Sequence, residues 1–455
     1  MFDSDALDIS PVAFNVRDKY PHKHYYFLRV MHTLGLIHLP QSVSSWTSTL
    51  HQIYSWSLHG GVIMFICLIT ASVVLRARQD SFEFLQKLFE AIFTTAFYYE
   101  LFYIKTHIRQ VLALIRIIED KFLTSHEDIV KAYDRQERVT ICLVLIAVVM
   151  TLVLVVSETF IQFSPEELDK IRKLYDKKHP ERILPINCWL PLVDTSDLGP
   201  YLVIYVVQVI ALMLYFTSLS YSVIQVTAFL TPLEGQFRIL ARYVGMLGRS
   251  PRDPLGTYVW TPIGVLCKDE GTYRLDRRFL GKSEEEVERR FNEICANQCV
   301  KFSHILYEYM EEYRRFITPL KDPVVIPVTT IFALGLYQTS SISDLSPHAI
   351  GKVFIELFLL LISSYDFIRQ SERLQTCQDL LYASVARCAR DRLSPRARRT
   401  LCMILMRSRS FAHLRFLNGV YLIDNELLIR LFKVSYSFIN FMKVAKALGG
   451  ASDHH

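Results

Sequence analysis

The sequence has no Gly-x-x-x-x-Gly-Lys-Ser/Thr phosphate loop, no His-Glu-x-x-His zinc motif and no Gly-x-Ser-x-Gly nucleophile elbow. Phosphoryl transfer on such a loop, zinc proteolysis and α/β-hydrolase chemistry are excluded as readings, and no enzyme is expected. No Asn-x-Ser/Thr sequon occurs, so glycosylation marks neither side of a membrane. The nine cysteines do not form a disulfide framework. Most fall in apolar runs or in loops assigned below to the cytoplasm, and Cys188 is the one cysteine in the long loop assigned outside. No signal peptide is expected, because Asp3, Asp5, Asp8, Arg17, Lys19, Lys23 and Arg29 leave no clean apolar core before the first span. No apolar run carries arginines at every third position, and no Gly-Tyr-Gly occurs, so neither a voltage sensor nor a potassium filter is present. Internal repeats with matching broken helices, the mark of a secondary transporter, are also missing. His22 and His24 around Lys23 read as a solvated turn and not a metal site. Cys295 and Cys299, four apart with no second pair at zinc spacing, read as core. No cofactor, metal or nucleic acid is expected.

Apolar surface is what the chain has in quantity. Over 455 residues, 51% are hydrophobic and 21% charged, with a mean hydropathy of +0.22. Several runs can cross a hydrocarbon core of about 30 Å. Ile53–Leu75, Val139–Ile161 and Tyr201–Leu230 are clear. Phe82–Ile104 is interrupted by Glu83, Lys87, Glu90 and Glu100. Pro323–Gln338 and Ile350–Ile362 are short, so their helices should run on beyond the bilayer. The stretch 421–448 is the seventh. Arginines crowd the segment 369–415, whereas 339–349 has no Lys or Arg and the lysines of 162–199 are balanced by acids. The positive-inside rule therefore places 104–138, 231–315 and 366–420 in the cytoplasm. The expected fold is an all-α membrane protein of seven transmembrane helices, with an intracellular N-terminus, an extracellular C-terminus and a cytoplasmic helical anchor.

The expected organisation is a cytoplasmic segment 1–45, spans one to four over 46–230, and a cytoplasmic loop with helices over 231–315. Spans five and six with an extension follow over 316–393, then an anchor helix over 394–420 and a last helix over 421–455. Ser283 with Glu286 predicts a capped charged helix over Ser283–Tyr313. Ser394 and Pro395 predict the start of another, Ser394–Arg407. Its narrow apolar stripe, Ala397, Leu401, Ile404 and Leu405, suits either a protein interface between subunits or the lipid surface. Residues 249–281 break both periodicities with Pro and Gly and read as an irregular insertion.

The last span is too polar to face lipid. Glu426, Arg430, Lys433, Ser437, Asn440 and Val444 step by four or three and make one helical stripe. Leu427, Leu428, Leu431, Val434, Phe438 and Met442 fill the other sides. A charge facing hydrocarbon costs about 2.5–3.5 kcal/mol. The stripe therefore lines water, as a pore, or packs inside a bundle.

A G-protein-coupled receptor would show Asp-Arg-Tyr after span three and Asn-Pro-x-x-Tyr in span seven. Here Asp134-Arg135 is followed by Gln136, no Asn-Pro exists, and the expected topology is inverted.

Ser435-Tyr436-Ser437-Phe438-Ile439 resembles the Ser-Tyr-Ser-x-Phe-type ending of insect odorant receptors. The stretch from Arg398 to Ser408, RRTLCMILMRS, is similar to that family's short cytoplasmic helix before the last span. Tyr382-Ala383, His304 and Tyr205-x-x-Gln208 resemble further family positions. The resemblance covers nearly the whole chain by layout and the C-terminal third by motif. The insertion 249–281 makes the loop between spans four and five longer than in most odour-tuned members, as it also is in the co-receptor, whose apolar ending differs from Met442-Lys443-Val444-Ala445-Lys446. The Thr-Tyr…Gln-Phe pattern of gustatory receptors is missing.

The resemblance implies an odorant-gated, non-selective cation channel in the plasma membrane of olfactory neurons, a heterotetramer with a co-receptor subunit. Ser437, Asn440, Phe441 and Val444 would line its pore. A small, mostly apolar volatile would bind between the outer halves of spans two, three, four and six. Its expected lining is Phe89, Ile92, Phe93, Met150, Leu154, Ser157, Tyr205, Gln208, Leu212, Phe354 and Phe358. A G-protein-coupled or gustatory-type chemoreceptor is the alternative.

Overall fold

Asp80 starts the second long helix: it is extended, and its carboxylate accepts a hydrogen bond from the Glu83 backbone N–H at 2.9 Å. Such caps divide one apolar chain into separate rods. The computed structural model describes residues 30–37, 45–122, 131, 134–135, 138–139, 141–146, 148–150, 152–153, 165–175, 179–182, 184–186, 188, 197–249, 259–260, 273–274, 284–340, 347–408 and 414–452. The rods are α1 (Ser45–Leu75), α2 (Ser81–Thr106), α3 (Ile108–Lys121), α4 (Pro165–Tyr175) and α5 (Leu198–Met246), then α6 (Glu284–Ser340), α7 (Pro347–Arg387), α8 (Pro395–Ser408) and α9 (Asn425–Ser452). Two antiparallel pairs of two-residue strands accompany them: β1 (Val259–Trp260) with β2 (Tyr273–Arg274), and β3 (Arg415–Phe416) with β4 (Tyr421–Leu422).

Among the described residues, Trp46–Leu75 and Glu288–Thr339 hold helices long and apolar enough to cross a membrane; Ile141–Met150 and Leu198–Leu212 are shorter apolar stretches. The first, second, fourth, fifth and sixth expected spans lie on long helices, as does the seventh from residue 425 onward. The later part of the third, Val139–Ile161, from residue 154 onward, is outside the described residues.

Three boundaries differ from the sequence expectation. The charged helix expected over Ser283–Tyr313 and the fifth span are one 57-residue rod, α6. Proline usually breaks a helix because it lacks an N–H and crowds the preceding turn. Pro319, Pro323 and Pro327 nevertheless lie inside α6. They are four apart, so their gaps share one face. The Pro319 carbonyl, which Pro323 cannot serve, accepts the Tyr99 hydroxyl of α2 at 3.0 Å. Second, residues 421–424 are not helical. Leu417, Asn418 and Gly419 all have positive φ, turning the chain so that β3 and β4 pair. The Leu417 N–H donates to Asp322 of α6 at 2.8 Å. Asp424 then caps α9, accepting from the Leu427 N–H at 2.9 Å, and Arg430 reaches back to the same carboxylate at 2.8 Å. Third, the 249–281 insertion carries the short β1–β2 pair; apart from that pair and Arg249, the expected irregular stretch lies outside the described residues.

The largest apolar core lies where α5, α6 and α7 run past the bundle and meet α3 and α8. Phe237, Phe302, Tyr309, Phe316 and Leu381 are fully buried there. Cys295 and Cys299 belong to it, and burial pushes both thiols up from their ordinary values. Gly248 has φ +78 just after α5; a Cβ there would meet the Ala389 carbonyl at 2.5 Å, so only glycine closes this corner.

α8 begins as its sequence predicts, with the Ser394 Oγ accepting from the Ala397 N–H at 3.2 Å. The same hydroxyl donates to Glu293 of α6 at 2.7 Å. Its apolar stripe corrects the sequence reading. Ala397, Leu401 and Ile404 are buried inside the chain's own core with Leu405 packed against it, so the stripe faces neither a second subunit nor lipid. The opposite side is open, with Met403 62% and Met406 78% exposed.

Candidate functional site

Charged residues in apolar helices must find partners or water. In α2 they find partners. Glu90 takes the ammonium groups of Lys87, at 2.7 Å, and of Lys352 in α7, at 2.9 Å. Gln86 donates to the Glu356 carboxylate of α7 at 3.0 and 3.1 Å. The Tyr175 hydroxyl of α4 donates to Glu83. Farther along α2, Glu100 pairs with Lys321 of α6 at 2.6 Å. The interruptions that weaken this span in the sequence are thus the groups that fasten it to α4, α6 and α7.

The expected ligand-lining residues divide. Phe89 is buried, with Ile92 and Phe93 packed around it, in a cluster with Ile331 and Phe332 of α6, Val353, Leu357 and Leu360 of α7, and Leu431 of α9. Gly335 lets this cluster close, since a Cβ there would stand 2.5 Å from Leu357. Phe354 and Phe358 do not join it. They are 56% and 42% exposed, because the 3.6-residue repeat that turns Val353, Leu357 and Leu360 inward turns these two outward.

Gln208 and Leu212 lie in a different place. Leu212 lines a small cavity of about 40 Å³ with His59 and Phe65 of α1 and Thr94 and Phe97 of α2. Gln208 is buried, and its amide serves the backbone of the preceding loop. It accepts from the Ile186 N–H at 3.0 Å and donates to the Ile186 carbonyl at 3.1 Å. This side chain holds a loop and is not free for a ligand. Tyr205 is half-buried beside Tyr201, and Met150 is half-buried. Leu154 and Ser157 lie outside the described residues.

Gln208→Ala would leave both backbone groups of Ile186 without their partner, at about 1–3 kcal/mol for a buried group. Faster hydrogen exchange in a peptide covering residues 184–188 is expected. Unchanged exchange there would show that Gln208 does not hold the loop.

α9 shows two unlike halves. Leu427, Leu428, Leu431, Ser435, Phe438 and Met442 turn toward the bundle and are buried or half-buried. Phe432 meets Phe332 edge-on at 5.0 Å, and Phe438 meets Tyr337 at 6.1 Å. Glu426, Arg430, Lys433, Ser437, Asn440 and Val444 are all exposed, as is Phe441 at 68%. Val434 departs from the sequence reading: it is 55% exposed and flanks the stripe, being only about 60° around the helix from Ser437.

The profile of the 7tm odorant receptor family matches residues 81–436. The fold is similar to that of the insect olfactory receptor OR5 from Machilis hrabei in complex with eugenol. That match has a TM-score of 0.67 at 10% identity and covers 94% of this chain and 100% of the other. A second structure of the same receptor matches with a TM-score of 0.66 at 10% identity, over 94% of this chain and 98% of that one. Among curated proteins, no sequence matches the chain.

Proposed function

This chain belongs to the 7tm odorant receptor family, and from that membership we propose that it is the odour-tuned subunit of a ligand-gated, non-selective cation channel. The subunit spans the plasma membrane of olfactory neurons seven times, with its N-terminus inside, and assembles with a co-receptor into a heterotetramer. The observation that carries the reading is α9. Its polar stripe is continuous and exposed along the helix, while its apolar half is packed against α6 and α7. A stripe that served only bundle packing would be covered by the chain's own helices. Around a common axis it lines water instead. Ser437 and Asn440 offer dipoles to a passing cation, and Phe441 and Val444 supply an apolar ring that closes by dewetting. Arg430 is drawn back to Asp424 at 2.8 Å, which removes one positive charge from the stripe.

The ligand is a small, mostly apolar volatile, and Phe89, Ile92 and Phe93 are the candidate lining residues that the fold brings together. Eugenol, bound by the receptor of similar fold, is a molecule of that kind. A ligand that favours the open state by a coupling of about 1–3 kcal/mol shifts the gate. The match to an odorant receptor family favours this reading over the G-protein-coupled and gustatory-type alternatives.

Cysteine scanning tests the pore. With the co-receptor present, cysteines at Ser437, Asn440 and Val444 should react with a charged thiol reagent applied from outside, and faster while odorant is bound. A cysteine at Phe438, on the packed half, should react slowly. Val434, on the flank, should be intermediate. Equal rates along residues 434–444, or none, would place the pore elsewhere.

A further inference from the structure

A second pocket borders the Phe89 cluster, with which it shares Val328, Leu360 and Leu431, and reaches away from Phe89 along α2. It has a volume of about 120 Å³ and walls from α2, α5, α6, α7 and α9. Glu100 in its wall is eleven residues beyond Phe89, about 16 Å along α2. A cavity of roughly 150 Å³ with apolar walls holds a benzene ring, so this one admits a single ring or a short chain. Val324, Val328, Leu360 and Leu431 supply its apolar side.

The polar side is a set of acceptors. The Thr329 hydroxyl donates to the Val325 carbonyl at 2.8 Å, and the Ser363 hydroxyl donates to the Leu359 carbonyl at 3.0 Å. Each keeps its oxygen lone pairs. Lys321, the one cationic lining residue, is committed to Glu100 at 2.6 Å. Asp366 is 1% exposed and takes Arg369 at 3.2 Å through one oxygen. An anion would meet two carboxylates here. A cation would meet Lys321, with Arg369 behind Asp366. A neutral molecule with one hydroxyl proton to give meets neither obstacle.

We propose that this pocket is a binding site for a small neutral alcohol or phenol that partitions into the membrane. Leu427 and Leu431 of α9 line it, so the occupant touches the first turns of that helix. Its polar side, from Glu100, Thr329, Ser363 and Asp366, lies outside the Phe89 cluster, and the site does not depend on α9 lining a pore.

Photolabelling tests it without any current being measured. The full chain in native membranes is irradiated with a short-chain alcohol carrying a diazirine, and labelled peptides are mapped by mass spectrometry. Label is expected on peptides covering residues 321–331 and 360–368, and excess phenol should remove it. Val328→Phe, which fills the apolar side, should lower it by about tenfold, and Thr329→Val, which deletes one acceptor at nearly constant shape, by about threefold. Absence of phenol-sensitive label on these peptides in the unaltered chain would overturn the proposal. So would label unchanged by both substitutions. If Val328→Phe does not accumulate, Thr329→Val decides alone.

Discussion

Leu401→Asp should leave almost no correctly folded chain. Leu401 is 2% exposed in the core that α8 shares with α6. Removing a buried leucine side chain to alanine costs about 2–5 kcal/mol, and an unpaired buried carboxylate adds several more. Folded proteins hold only about 5–15 kcal/mol in reserve. Met403→Asp, on the opposite face of the same helix, replaces a 62% exposed side chain and should be tolerated. Size-exclusion profiles of fluorescent fusions in detergent would read both. A normal peak for Leu401→Asp with a lost peak for Met403→Asp would mean that the helix faces the other way. Because the stripe is internal, the expected defect is in the fold of one subunit, before any assembly begins.

Lys321→Met should be nearly as damaging, through a different term. The Lys321 and Glu100 side chains are 11% and 5% exposed. Breaking such a pair by removing one partner costs about 3–5 kcal/mol, because the other charge is left buried and uncompensated. Glu100→Gln alone should be harmful for the same reason. The double variant Lys321→Met/Glu100→Gln should recover much of the loss, since no net charge remains inside. Thermal denaturation of the four proteins gives the coupling. Strictly additive losses would show that the two groups do not stabilise each other.

Long apolar runs were enough to reach a mostly helical fold of long apolar rods, and the stripe on α9 was legible because its spacing depends only on helix geometry. Pairing across helices was not legible. Glu90 and Glu100 look alike in the sequence, as defects in one span, yet one answers Lys87 and Lys352 and the other answers Lys321. Nothing local distinguishes such partners across helices, since Lys321 is 221 positions from Glu100. The stripe of α8 failed for a related reason. An apolar face states that it is covered, and only the fold states by what. The prolines of α6 do not end it, and a tertiary partner such as Tyr99 supplies a bond that the helix lacks. Two signals were present and unread. Asn418-Gly419 is a turn pair, and Asp424 three residues before Leu427 is a cap; together they place the start of α9 four residues later than apolar content suggests.

The continuity of α6 has a mechanical consequence. Its first half is embedded in the core with α3, α5 and α8, and its last turns carry Phe332 and Tyr337 against α9. Between them are the three prolines, where backbone bonds are missing and bending is cheap. The rod is therefore a lever with a long fixed arm before Pro323, a fulcrum near that proline and a shorter arm after it that packs against α7 and α9. Tyr337 stands fourteen residues beyond that fulcrum, about 21 Å at 1.5 Å per residue. A bend of only about 5° there would carry it roughly 1.8 Å sideways, and Phe438 would have to follow or lose its neighbour.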